Sequence, residues 1–283
     1  MPHNTAYEQI TSFPMPDNAL ALFDIDKTLI DVQYNVTDTG IYPAVELAQN
    51  DGWTVGLSSD TPHARMANRR VQFGTNGPII AERGAVVEWG GKLHYDNEVS
   101  DAFGVTLDSA ECGLLESGLR VVRSYPDEFR SVRAEPGKPG EAVILINPLR
   151  LCSVGLWARR FDKNGRLAID NELTSHMAEL VRPHLPDIDI FWDLNHEYGI
   201  LIAAPNAMSK RVGTQKFMEF AGVSGRVAMV GDSMSDFVGH DIARHYAVGN
   251  ASPDFKDRAD YVASASITVG SIEILEGLRN GQL

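Results

Sequence analysis

Residues 20–30 read "LALFDIDKTLI". A run of aliphatic residues breaks into two aspartates one residue apart, then a lysine, a threonine and further aliphatics. In an extended strand Asp24 and Asp26 fall on the same side, because side chains alternate with a period of two. Two carboxylates that close repel, and the affinity of one for a proton rises unless a cation or a proton sits between them. An acidic pair at the end of an apolar strand therefore predicts a site that holds positive charge.

Other short apolar runs also end in small or acidic residues: "WTVGLSS" (53–59), "PIIAE" (78–82), "RVAMVGD" (226–232) and "HYAVGN" (245–250). Continuous apolar strands of this kind suit a parallel sheet covered on both faces. Helical patterns fall between them at 39–50, 62–73, 208–221, 236–243 and 269–279. Strand alternating with helix predicts an α/β, doubly wound, Rossmann-like core whose ligands bind beyond the carboxyl ends of its strands. Asp24, Ser58 and Asp232 all fall there.

Residues 85–204 break the rhythm. They open with a predicted hairpin, "GAVVEWGGKLHYDN", turning at Gly90 and Gly91. A turn-rich stretch at 134–141 follows, then a strand at 142–147, a helix near 171–182 and strands at 187–193 and 198–205. The expected division is a core of 1–84 and 205–283 with an inserted α+β cap at 85–204.

Composition narrows the function classes. The 283 residues carry 25 Lys and Arg against 38 Asp and Glu, a net charge of -13. Nucleic-acid backbones and anionic membranes both reward a basic face, so neither is an expected partner. Cys112 and Cys152 lie far apart, in no metal-ligand spacing, which fits a reducing cytoplasm. The start, "MPHNTAYEQITSFPMPDN", lacks the basic opening and apolar run of a signal peptide, and no stretch approaches the roughly 20 apolar residues of a membrane span.

Four segments together resemble the haloacid dehalogenase-like phosphohydrolases. "FDIDKTL" is similar to the first motif of that family, "VGLSS" to the second, "AMSKRVG" to the third and "VAMVGDSMSD" to the fourth, in order and at strand ends. The insertion between the second and third matches the position of the α/β cap in the Cof-type, phosphoglycolate phosphatase-like and sugar-phosphate phosphatase-like branch. The resemblance implies Asp24 as nucleophile and Asp26 as general acid and base. It implies Ser58, with Ser59 as the weaker choice, and Lys210 as phosphate ligands. Mg²⁺ would be held by the side chains of Asp24 and Asp232 and the main-chain carbonyl of Asp26, with Asp236 supporting Lys210 or a metal-bound water.

Two departures stand out: Ser235 where Asn often precedes the last aspartate, and Ser58-Ser59-Asp60 where Thr-Gly-Arg is common. Asp60 thus puts negative charge where relatives often carry a cation. Arg123, Arg150, Arg159 and Arg160 read individually as solvated or ion-paired, with access of one of them to substrate left open.

The expected activity is Mg²⁺-dependent hydrolysis of a small phosphorylated metabolite, phosphoglycolate-like or a sugar phosphate, through an aspartyl phosphate. The alternatives are a sugar phosphomutase with the same motifs and a phospho-accepting signalling domain. The two-aspartate motif and the insertion argue against the signalling domain, and release of inorganic phosphate from a single substrate separates hydrolase from mutase.

Overall fold

The computed structural model describes residues 19–123, 137–185 and 187–283. The amino-terminal stretch read for a signal peptide lies outside them, as do residues 134–136 of the turn-rich segment.

The chain begins with β1 (Leu20–Phe23), α1 (Ile41–Asn50), β2 (Thr54–Ser58), α2 (His63–Phe73), β3 (Ile79–Ala81), β4 (Val86–Trp89) and β5 (Lys92–His94). It continues through α3 (Asn97–Glu116), β6 (Arg120–Arg123), β7 (Ala142–Ile146), β8 (Val154–Phe161), β9 (Leu167–Ile169), α4 (Asn171–Val181), β10 (Ile190–Asn195) and β11 (Ile200–Pro205). It closes with α5 (Lys210–Ala221), β12 (Val227–Gly231), β13 (Arg244–Ala247), α6 (Pro253–Lys256), β14 (Tyr261–Val262) and α7 (Ile267–Arg279).

The larger sheet has the order β14-β13-β12-β1-β2-β3-β4-β5. Its first six strands are parallel, and β4 and β5 continue it as an antiparallel edge hairpin. Both faces are covered, as the apolar runs predict. Along β1, Ala21 and Phe23 join the cluster that holds Ile41, Met66 and Ile274. Leu20 and Leu22 join the opposite cluster with Phe217 and Met229. The chain steps from β1 outward through β2 and β3, then returns on the other side of β1 through β12, β13 and β14. That reversal is the topological switch point, where a crevice opens beyond the strand ends.

The second sheet, of six strands, runs β10-β11-β8-β7-β6 with β9 paired to β8. It packs on α3 and α4 through Phe103, Leu114, Ile144, Leu156 and Met177. Among the described residues no helix is long and apolar enough to cross a membrane.

Three expectations change. The hairpin at 85–94 belongs to the core sheet, because β4 pairs with β3; cap secondary structure starts with α3. No helix spans 236–243. Met234–Asp236 forms one tight turn in which the Asp236 side chain accepts from the Asp232 and Ser233 amides, and the chain then runs irregularly into β13. The helix α3 and the strands β6, β8 and β9 had no forecast.

Candidate active site

Asp24 follows β1 directly, its amide bonded to the Val230 carbonyl of β12 at 2.9 Å. This places its carboxylate at the switch point. Lys210 opens α5, whose first turn is capped by the Ser209 hydroxyl accepting from the Val212 amide. The Lys210 ammonium donates to Asp24 Oδ1 and to Asp236 Oδ1, each at 2.6 Å. All three side chains are buried.

Asp236 is fixed from its other oxygen, which accepts from the amides of Asp232 and Ser233 at 3.0 and 3.1 Å. Gly231 makes this possible: a Cβ there would stand 2.1 Å from Asp236 Oδ2. Asp236 therefore anchors Lys210, one of the two roles expected of it.

The carboxylates outnumber their cation. Oxygens of Asp24, Asp232 and Asp236 lie within 4.8 Å of one another. Burial pushes the Asp24 carboxyl well above the usual range; Lys210 opposes that shift, and Asp236, Asp232 and Asp26 add to it. Asp232 is pushed up to about 7, by burial first and Asp236 next. Asp26 is also raised, chiefly by burial, while Lys210 and Arg69 hold it down. Lys210 is held firmly charged by Asp236 and Asp24 against the cost of its burial.

Such crowding favours a further positive charge. Since Asp236 spends its oxygens on Lys210 and two amides, Asp24 and Asp232 are the side chains left to hold a cation. Hard carboxylate donors are the set that Mg²⁺ takes.

The second motif requires a correction. Ser58, the last residue of β2, is buried, does not reach the crevice, and its hydroxyl has no hydrogen-bond partner. Ser59 lines the crevice. The period of two separates them: β2 still runs extended at Ser58, so its side chain and that of Ser59 point to opposite sides. The end of the apolar run does not mark the lining residue; the next one, itself buried, is the one that borders the cavity. Thr61, unflagged by the sequence, donates its hydroxyl to Asp26 at 3.4 Å.

Above these residues lies a cavity of about 410 Å³, walled on its far side by the cap. Phe191, Asp193 and Asn195 alternate along β10 and all face it, the side-chain period of a strand. Cap and core are joined at a seam. Buried Glu82 accepts from the Leu151 amide, the Cys152 amide and the Ser153 hydroxyl at 2.8, 2.9 and 2.6 Å. Glu82 and Arg83 both take left-handed backbone angles, φ 48° and 62°, a conformation non-glycine residues hold only when surroundings enforce it. The Arg83 guanidinium consequently lies 3.4 Å from the Phe191 ring centre. Across the opening, Lys27 pairs with Glu197 at 2.5 Å.

The four cap arginines separate here. Arg123 pairs with Asp108 and Glu111, and Arg160 with Asp170. Arg159 is buried against the carbonyls of Ala158, Gly199 and Tyr198. Arg150 alone of the four lines the cavity.

No family model matches the chain. It is 36% identical over 78 residues to phosphoglycolate phosphatase 2 of Saccharolobus solfataricus, covering 27% of this chain and 34% of that protein, about a third of the relative's length. It is 24% identical over 266 residues to phosphoglycolate phosphatase 1 of the same organism, covering 93% and 96%. A solved HAD subclass IIB sugar phosphatase superposes with a TM-score of 0.59 at 15% identity, covering 93% of this chain and 99% of that one. With the motif residues meeting at the switch point beneath an inserted cap, the chain shares the fold of these haloacid dehalogenase-like hydrolases.

Proposed function

We propose that the protein is a Mg²⁺-dependent phosphomonoester hydrolase acting on a small phosphorylated metabolite. The observation that carries this reading is the Lys210 ammonium clamped between Asp24 and Asp236 on the floor of the capped cavity. Nucleophile and phosphate-binding cation are thereby held at one point. The phosphoryl oxygens would lie between Ser59 and Lys210, where positioning and charge stabilisation carry most of the rate.

An Asp24 carboxylate oxygen attacks phosphorus, the new O–P bond forms and the ester P–O bond breaks. Asp26 gives its proton to the departing oxygen, which leaves as an alcohol. Burial raises the Asp26 carboxyl above its usual range, the direction that suits a proton donor. The aspartyl phosphate is then attacked at phosphorus by water. Asp26 takes the water's proton, and inorganic phosphate and the Asp24 carboxylate are released.

Asp24, Asp232 and the Asp26 carbonyl would hold Mg²⁺, which supplies neutralisation of the phosphate's charge when bound. The relatives named phosphoglycolate phosphatase and the sugar phosphatase neighbour support a phosphomonoester substrate.

The test is phosphate release from p-nitrophenyl phosphate with no added acceptor. Release that stops in excess chelator and returns with Mg²⁺ supports the reading. Full activity in chelator, or strict dependence on a second sugar as acceptor, overturns it.

A further inference from the structure

The cap side of the cavity carries polar atoms that the fold leaves unused. Asn147, directly after β7, is only 1% exposed. Its Oδ1 accepts from the Leu149 amide at 2.9 Å, yet its Nδ2 is buried with no hydrogen-bond partner among the described residues. Three residues on, Arg150 is seated deliberately. Its Nη1 donates to Ser153 at 3.0 Å, and Gly155 clears space for it, since a Cβ there would stand 2.5 Å from Arg150 Nε. That Nε is likewise buried and unpartnered. Both residues line the cavity.

An acceptor faces the same space. Asp60 lines the cavity and its Oδ1 is buried without a partner. Asp193, on the cap wall, feels the charges of Asp60, Arg83 and Arg150. Beyond the floor's Asp24, Asp26, Asp232 and Lys210, and Lys27 with its partner Glu197, the charged groups lining the cavity are Asp60, Asp193, Arg83 and Arg150, which sum to zero.

Unpaired donors and unpaired acceptors in one chamber constrain what enters it. A carboxylate accepts only: it would satisfy Asn147 and Arg150 but meet repulsion from Asp60 and Asp193. An ammonium donates only and fails in the opposite way. A hydroxyl does both, and buried polar groups left unpaired are costly enough to select for the group that pairs them.

We propose that Asn147, Arg150, Asp60 and Asp193 form a hydroxyl-reading subsite, so that the leaving group is an uncharged polyol or sugar rather than a short carboxylic acid. This rests on the hydrolase reading above. It makes Asn147 and Arg150 specificity-determining residues. The cavity, at about 410 Å³, has room for such a group beside the phosphate.

The experiment compares glucose 6-phosphate, 2-phosphoglycolate and p-nitrophenyl phosphate. The expected kcat/KM for the sugar phosphate exceeds that for phosphoglycolate by about a hundredfold, since a site built to bond a hydroxyl rejects analogues lacking it. Asn147→Asp keeps the acceptor for Leu149 but removes the donor. It should cut the glucose 6-phosphate to p-nitrophenyl phosphate ratio of kcat/KM about tenfold, mostly through KM, the loss of about one hydrogen bond to substrate. Arg150→Met should move the same ratio in the same direction. Preference for phosphoglycolate, or ratios that neither variant moves, would overturn the proposal.

A binding arm separates the two readings. The Asp24→Asn protein, titrated calorimetrically with the same two metabolites, should bind the sugar phosphate more tightly, and tighter binding of phosphoglycolate counts against the subsite. Failure to release phosphate from all three compounds would sink the hydrolase reading while this titration still decides the subsite.

Discussion

The floor and the wall of the cavity are built on opposite rules. On the floor, Lys210, Asp24 and Asp236 satisfy one another within the fold, with Gly231 and two amides holding the last in place. On the wall, Asn147 and Arg150 are positioned by the fold but keep a donor each unpaired. A preorganised charge cluster serves a reaction step common to many substrates; unspent hydrogen-bonding groups serve discrimination between them. On the proposed function, the reaction is carried by the core and selectivity largely by the cap, the two joined at Glu82.

The comparison breaks most visibly on the floor. Asp24→Asn should lower kcat at least about 10³-fold, the scale of losing a group that acts only in the transition state. The melting temperature should hold or rise, because the variant removes a buried carboxylate. A variant keeping more than about a tenth of the wild-type rate, on that same scale, would dismiss Asp24 as nucleophile.

Lys210→Met removes the shared cation and strands two buried carboxylates. Unfolding stability measured by denaturant titration should fall by about 3–5 kcal/mol, the usual cost of breaking a buried ion pair from one side. A loss below about 1 kcal/mol, typical of an exposed pair, would show that the floor is not closed as described.

A titrating group outside both regions serves as a control. His245 is fully buried, its Nε2 accepting from the Val238 amide at 3.0 Å. Burial, with His240 adding and Asp260 and Asp236 opposing, pushes its pKa down to about 4. Below its ordinary value near 6.5 the unfolded chain binds the proton and the folded chain does not. His245 therefore contributes a slope of its own, a loss of up to about 3 kcal/mol as pH drops from about 6.5 to about 4 at 1.36 kcal/mol per pH unit, against the opposite contribution of the raised Asp24, Asp26 and Asp232 carboxyls. His245→Gln should flatten that slope without altering substrate ratios, and an unchanged slope would refute the assignment.

Glu82→Gln tests the seam. One carboxylate oxygen accepts from Cys152 and Ser153 and the other from Leu151, and an amide nitrogen in place of either faces a donor. The expected loss is about 2 kcal/mol, in the range of hydrogen bonds to a charged group. It should be accompanied by faster proteolysis within the cap. Unaltered proteolysis would mean that Glu82 does not hold the two regions together.

The floor was legible in the sequence and the wall was not, for physical reasons. Asp24 and Asp232 directly follow apolar strands, which brings them together, and Lys210 was marked by the motif resemblance and its place at a helix start. Ser58 was misplaced by one residue because an apolar run marks a strand's end only approximately, and one residue reverses the face. The hairpin at 85–94 was assigned to the cap because its antiparallel pattern differs from its parallel neighbours, yet strand pairing joins it to β3. The helix pattern at 236–243 lost to the hydrogen bonds that the Asp236 side chain takes from Asp232 and Ser233. On the wall, Arg150 could not be told from Arg123, Arg159 and Arg160 because which of them borders the cavity depends on how the cap sheet sits over the core.

The central claim is that Asp24 takes the phosphoryl group while Asp26 moves the protons. Its most direct test is the Asp26→Asn protein mixed with p-nitrophenyl phosphate and Mg²⁺ and quenched in acid during the first turnover. This leaving group needs little protonation to depart, so the intermediate should form, and without a base for water it should persist. The account predicts a burst of p-nitrophenol near one equivalent per protein, and a phosphoryl adduct mapping to Asp24 in the peptide containing residues 20–30. Steady phosphate release with no burst and no adduct on Asp24 would contradict it.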